Sequence, residues 1–315
     1  LFLDGVETPS DRINAYLVNG PETYVETERK SLFDLPFMCK GNQPADGGGL
    51  ILTQEERDAL LAQNPDAERF LLRFVGSQEV VRGFTRYCLW IDEDEVVQAQ
   101  QIAPVGARLE AVRQFRLSSA KARTRDMAQR PFEFDEIRVR PGKPSILVPS
   151  VTSERRPYLP VDMVGMNVIP SNLNFALYDA PEWCLALIAS RLHLVWIGTV
   201  CGKLKSDFRY SNTLGWNTFP VPRFTKDQLD QLSASARAIL KTRYMHHPKT
   251  IAELYDPEKM PDDLREAHRQ NDELLESMYI GRPFRNDTER LEKLFKLYAA
   301  RVEKMKSETQ KKGAA

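Results

Sequence analysis

The apolar run at residues 183–200, WCLALIASRLHLVWIGTV, limits what this chain can fold into more than any other stretch. At helical spacing its apolar residues fall nearly all round, so a helix through it has to be enclosed on every side. Pro181 ahead of it has the backbone angle of a first helical turn. The run is long enough to raise a membrane span, but Arg191 and His193 sit at its centre. The Arg alone would cost about 3 kcal/mol in a bilayer. The expectation is therefore a central buried helix in a protein with no membrane contact, with His193 a hydrogen-bonded core residue. A content of 42% hydrophobic and 28% charged residues suffices for such a core, and 315 residues favour about two domains.

Directly after the run comes GKLKSDFRYSNTLGWNTFPVP, residues 202–222. Its first ten residues include Lys203, Lys205, Asp207, Arg209, Tyr210 and Ser211. These types donate to phosphates and guanine, accept from cytosine amino groups, or stack. Pro220 and Pro222 then stop any continuing helix or strand. The pattern predicts a loop and strand pair that meets DNA, set on a packed scaffold. Trp216 and Phe219 are assigned to packing rather than base stacking. Tyr210 has two readings, a backbone-positioning contact to DNA or a core aromatic whose hydroxyl bonds the chain.

Along the rest of the chain, INAYLV at 13–18 reads as the last strand of something upstream. With Leu1 in place of an initiating Met, a fragment of a larger enzyme is expected. KGNQPADGGG at 40–49 reads as a tight-turning loop. An anion nest is the alternative, but the loop lacks both the P-loop ending and the dinucleotide spacing. Thr53 and Glu56 form a capping box, and FTRYCLWI at 84–91 has strand composition. Residues 105–130 read as one helix with Val105, Leu109 and Val112 on one face and Arg113 and Arg116 elsewhere. Within 132–178, FEFDEIRV, SILVPSV, NVIP and NFALYD read as short strands.

Net charge is zero, yet residues 108–156 hold 12 Lys/Arg against 6 Asp/Glu. Two readings stand: a solvated face, or phosphate contact by Arg113, Arg116 and Arg123 that would make binding salt-dependent. Arg155 and Arg156, in SERRPYLP at 153–160, either touch phosphates or leave Glu154 to pair with a neighbouring Arg. After Phe224 the chain turns helical. Helices are expected at 225–244, with Leu229, Leu232, Ala236 and Ile239 on one face, at 264–279, and at 288–306. The last has Leu291, Leu294, Phe295, Leu297 and Tyr298 as its packing stripe.

A catalytic set is missing from the pattern. There is no HExxH and no GxSxG, and His246-His247 has the wrong spacing for a helical zinc pair. Glu28-Arg29-Lys30 matches only the ExK part of a PD…ExK nuclease, and the Asn-Pro-Pro-aromatic hallmark of amino methyltransferases does not occur. The four cysteines, Cys39, Cys88, Cys184 and Cys201, share no CxxC spacing and fit reduced thiols of a cytoplasmic protein. No catalytic, cofactor-binding or metal residue is assigned.

Nine segments in order carry a family resemblance: INAYLV, KGxxPxDGG, RYCLW at 86–90, SERRPYLP, SRLHLVW at 190–196, GKLKSDFRYS at 202–211, NTFPVP at 217–222, LYDPEKMPDDLREAH at 254–268 and RLEKLFKLY at 290–298. The chain resembles the C-terminal part of the MmeI family, the type IIL restriction–modification enzymes, and related adenine-specific DNA methyltransferases. The resemblance implies an α+β fold. Residues 1–29 would be the end of a methyltransferase domain or a linker. Residues 30–224 would form a DNA target recognition domain with a twisted, mostly antiparallel sheet packed by helices, and 225–315 an all-helical C-terminal domain. It implies double-stranded DNA and an upstream methyltransferase domain of the same polypeptide as partners. S-adenosylmethionine, and Mg2+ for cleavage, would serve the parent enzyme and not this chain. Lys205 and Asp207 match the family's readers of the base pair 3′ of the methylated adenine; the alternative is that they pair with each other on one strand face. A Lys donates to guanine O6 and N7, and an Asp accepts from N4 of the paired cytosine. Lys203, Arg209, Tyr210, Ser211, Arg155, Arg156, Arg113, Arg116 and Arg123 would position the DNA backbone. A protein-interaction module without DNA specificity is the competing expectation.

Overall fold

The structure is a computed structural model that describes residues 2–3, 6–7 and 12–313. Cα proximity divides it into two units, one of residues 39–149 and 163–179, the other of 1–38, 150–162 and 180–315.

In the 39–179 unit a sheet is built on Leu71–Val75. Arg86–Leu89 pairs antiparallel with it, Leu71 opposite Leu89, and Ile51–Thr53 pairs antiparallel with Arg86–Leu89 in turn. Val168–Pro170 joins the other side in parallel. Leu50, Leu52, Phe70, Phe74, Cys88 and Leu89 form its core together with Val105, Leu109 and Val112 of helix Ala103–Leu117. A second sheet runs Cys39–Lys40, Asn174–Tyr178, Ser145–Pro149, all antiparallel. The expected capping box is present: Thr53 Oγ1 accepts from Glu56 N at 3.2 Å, and Thr53 N donates to the Glu56 carboxylate at 2.9 Å.

Two expectations fail in this unit. The helix over 105–130 stops at Leu117 and resumes only as Ala122–Asp126. Ser118 turns its hydroxyl back to the Phe115 carbonyl at 2.8 Å, and Arg125 donates to the freed carbonyls of Ser119 and Ala120 at 2.9 Å each. Serine side chains compete with the helix backbone in this way. FEFDEIRV is not a regular strand: it makes a single antiparallel bridge, Glu136 opposite Gln43, and beyond it is held by the side chain of Asn42. Asn42 Oδ1 accepts from Arg138 N and Val139 N at 2.7 and 2.9 Å, and Asn42 Nδ2 donates to Val139 O at 2.6 Å. KGNQPADGGG folds as the tight-turning loop. Gly41 approaches backbone so closely that a Cβ would lie 2.3 Å from Ser171 O, and Gly47 has φ +62°.

In the other unit the 183–200 run is buried as expected but is two helices, Trp183–Ile188 and Arg191–Val200. Ser190 breaks it by capping the second, its hydroxyl accepting from His193 N at 3.2 Å. Both ends of the break are met from helix Asp262–Ile280: His268 Nδ1 bonds Ala189 O at 3.2 Å, and Asp272 accepts from Arg191 N at 2.7 Å. Helices Lys226–Met245, Asp262–Ile280 and Asp287–Gly313 make the C-terminal part helical. Leu232, Ala236 and Ile239 are buried, and Arg243 extends that stripe, donating to Val161 O and to the Asp162 carboxylate at 2.5 Å each. Leu294, Phe295 and Tyr298 are buried from the last helix. INAYLV is a turn rather than a strand. Asn14 Oδ1 accepts from Tyr16 N and Val18 N, and Leu17 sits at φ +58°. The fold is thus α+β, with mostly antiparallel sheets and helices followed by a helical C-terminal part. Among the described residues no helix is long and apolar enough to cross a membrane.

Candidate nucleic-acid interface

Helix Arg191–Val200 delivers the chain directly into a small hairpin. Strands Lys203–Leu204 and Asp207–Arg209 pair antiparallel, Lys203 opposite Phe208 and Leu204 opposite Asp207, around the two-residue turn Lys205-Ser206. Lys205 holds φ +58°, a left-handed conformation that costs a non-glycine residue about 1–2 kcal/mol. Val151–Thr152 adds a third strand against Asp207–Arg209, so the hairpin is paired on one side and not a free ribbon.

Opposed residues on paired strands share a face. Lys203 and Phe208 take the face toward the helix. A Cβ at Gly198 would lie 3.2 Å from the Phe208 ring, so any larger residue there would have to push the ring back by a few tenths of an ångström. Lys203 Nζ lies 5.6 Å from the Phe208 ring centroid and pairs with Glu154 at 3.0 Å. Leu204, Asp207 and Arg209 take the other face. Leu204 and Arg209 are exposed, Asp207 is half-buried, and Lys205 projects from the turn exposed. Neither Lys205 nor Arg209 has a side-chain hydrogen bond or ion pair among the described residues. Arg156 is drawn to Asp207. Burial pushes its guanidinium pKa down while the charge of Asp207 opposes the shift, and Arg156 Nη1 donates to Thr152 Oγ1 at 3.1 Å.

The foot of the hairpin is locked into the core. The Tyr210 hydroxyl and His193 Nε2 are 2.9 Å apart, and both residues are buried. Burial pushes His193 down to about 3, so the imidazole is neutral, and pushes the Tyr210 phenol well up. Ser211 caps a single π turn, Asn212–Trp216, its hydroxyl accepting from Leu214 N at 3.3 Å. Trp216 and Phe219 are fully buried around His193, and Trp216 Nε1 donates to Pro36 O at 2.7 Å, so both serve packing.

The structure sorts the expected DNA-contacting residues into three groups. Lys205, Asp207 and Arg209 share the hairpin, with Lys203 at its edge. Arg155 and Arg156 lie in the same unit. Arg155 makes an exposed ion pair with Glu258 at 3.1 Å, worth little in solvent. Arg113 and Arg123 lie in the other unit, exposed, with Arg113 paired to Glu110 at 2.8 Å and Arg123 donating to Asp135 O at 3.0 Å. Two assignments are corrected. Tyr210 is a core residue and cannot touch DNA. Arg116 lies on the buried face with Val105, Leu109 and Val112, 0% exposed. Its guanidinium donates to the carbonyls of Pro44, Ala45, Met127, Arg130 and Glu133 at 2.6–3.1 Å, which leaves nothing for a phosphate. Ser211 is spent on its cap. Sequence reasoning missed Leu204 and Thr152, and it expected Glu154 to pair with a neighbouring Arg where the structure pairs it with Lys203. The isolated Gly198 inside an apolar helix was the one available sign that backbone or ring had to come close.

Comparisons with known proteins find relatives over nearly the whole chain. The family model described as the MmeI target recognition domain matches residues 19–223, and that of the MmeI C-terminal domain matches residues 224–306. DNA methyltransferase A of Bacillus subtilis (strain 168) is 35% identical over 304 residues, 96% of this chain. A solved structure of the type IIL restriction-modification enzyme MmeI in complex with DNA superposes with a TM-score of 0.86 at 33% identity over 93% of this chain. The chain spans 34% of the length of the first relative and 39% of the second.

Proposed function

The chain belongs to the MmeI family, and on that premise we propose that it is the DNA-reading part of a longer, S-adenosylmethionine-dependent adenine-N6 DNA methyltransferase. Residues 30–224 would carry recognition and 225–315 support it, joined through residues 1–29 to an upstream methyltransferase domain that acts in the cytoplasm. Where the polypeptide also carries a nuclease, Mg2+ would serve cleavage there. The target adenine has to leave the stack to be methylated, and this part would grip the duplex meanwhile.

One observation carries the reading: a buttressed hairpin presents an unpaired ammonium, a carboxylate and an unpaired guanidinium within five residues, 205–209. Placed in a major groove, Lys205 would donate to O6 and N7 of guanine while Asp207 accepts from N4 of its cytosine partner. Arg209 and Lys203 flank them within reach of phosphates. The recognised sequence would then have guanine 3′ of the methylated adenine. The test is Lys205→Glu combined with Asp207→Arg in the full-length polypeptide, followed by methylome sequencing of a host expressing it. The base 3′ of the adenine is expected to change from guanine to cytosine. An unchanged motif overturns the assignment.

A further inference from the structure

Leu204 is unexplained by packing or by the recognition scheme. It is 52% exposed on a hairpin otherwise polar toward solvent, while Phe208 does the anchoring on the opposite face. It lies directly across the strand pair from Asp207. Residues so opposed have Cβ atoms about 4.5–5.5 Å apart with side chains on one face. An apolar branched side chain beside an acceptor matches one edge in the major groove. The exocyclic N4 of cytosine is adjacent to C5 of the same ring, the position that carries the methyl group in thymine.

We propose that Leu204 is a specificity-determining residue that packs on C5 of the pyrimidine engaged by Asp207 and so favours a 5-methylated pyrimidine. The proposal rests on the recognition reading above. It also explains why an exposed leucine stands at this point of the hairpin: covering C5 shields the Asp207 hydrogen bond from water and adds apolar contact where a polar neighbour would add none.

The experiment uses the full-length polypeptide as wild type, Leu204→Ala and Leu204→Met. Substrates are duplexes of the recognised sequence in which the pyrimidine of the base pair 3′ of the adenine has hydrogen or methyl at C5. These are cytosine against 5-methylcytosine for a G·C pair, or uracil against thymine for an A·T pair. A C5 pair therefore exists whichever base pair the enzyme specifies. The readout is kcat/KM for adenine methylation. Burying one methyl group corresponds to about a fourfold advantage for the methylated substrate in the wild type. That advantage is expected to fall to about one in Leu204→Ala and to return in Leu204→Met. Because Leu204 is half out in solvent, neither variant threatens folding. An equal methyl advantage in wild type and Leu204→Ala, or none in the wild type, overturns the proposal. Failure of the recognition reading shows separately, as an unchanged motif in the Lys205→Glu, Asp207→Arg protein.

Discussion

Arg116 shows how far a residue's chemistry depends on where its carbon chain leads. On composition it is one of 12 basic residues in a basic stretch. In the fold its five guanidinium donations tie the 40–49 loop to the turns that follow helix Ala103–Leu117. Arg116→Met keeps the volume and removes the donors, leaving buried carbonyls unpaired at about 1–3 kcal/mol each. Urea unfolding is expected to show a loss of more than about 3 kcal/mol, with the salt dependence of DNA binding by the folded protein unchanged. A shallower salt dependence would restore Arg116 to the interface. Lys205 poses the opposite case, a residue kept despite local strain. Lys205→Gly removes the left-handed penalty and is expected to stabilise the protein by about 1 kcal/mol in the same assay. Methylome sequencing should at the same time show relaxed discrimination at the base pair 3′ of the adenine, because function and stability pull apart at such sites. A destabilised Lys205→Gly protein would mean that the lysine side chain holds the turn.

Helix Asp262–Ile280 closes the break between helices Trp183–Ile188 and Arg191–Val200, and it does so with titratable groups. His268 is buried and pushed down to about 3, as is His193. Asp272 accepts from Arg191 N and from the Tyr158 hydroxyl at 2.7 and 2.9 Å. Burial pushes it up to about 7, against the pull of those hydrogen bonds and of Arg290, with Glu276 adding to the rise. Between about pH 4 and 6.5 the unfolded chain holds a proton on each of these histidines that the folded chain lacks, so their contribution to stability is lost on acidification. Asp272 runs the other way. The folded chain holds a proton that the unfolded chain has released, which offsets one of the two. Asp272→Asn removes the offset. The plot of unfolding free energy against pH, from denaturant titrations, is expected to steepen by about 1.4 kcal/mol per pH unit in that window. An unchanged slope would show that Asp272 is ionised there. This network also marks what was legible in the sequence. Apolar periodicity placed the C-terminal helices and the buried run, and short β-rich segments placed strands at Arg86–Leu89, Ser145–Pro149 and Asn174–Tyr178. Two of the interruptions were not legible, since they depend on partners far along the chain: Asp272 for Arg191 and Asn42 for Arg138. FEFDEIRV alternates like a strand, yet its pairing stops at one bridge, Glu136 with Gln43, and the Asn42 side chain takes the next backbone hydrogen bonds, at Arg138 and Val139. The hairpin was legible as a segment because its polar residues cluster. Its facing was not, because Gly198 and Phe208 decide it.

The whole molecule is neutral, and its basic excess is largely consumed internally. Of the cations in 108–156, Arg116 is buried, Arg113 is paired with Glu110, Arg130 with Glu93 and Glu133, Arg138 with Glu136, and Arg155 with Glu258. A cation already facing a carboxylate releases few counterions when a phosphate replaces that partner, because the freed carboxylate recruits its own. The steepness of salt-dependent DNA binding should therefore follow the unpaired cations of the hairpin and not the count of basic residues. Each phosphate neutralised contributes about 0.9 to the slope of log K against log salt on duplex DNA. Arg209→Gln is expected to reduce that slope by about 0.9, whereas Arg113→Gln should reduce it by much less, both read by fluorescence anisotropy on a duplex lacking the recognised sequence across a salt series. An equal reduction from Arg113→Gln would mean that the helix surface lies on the phosphates as well, and the grip on DNA would then extend well beyond the hairpin.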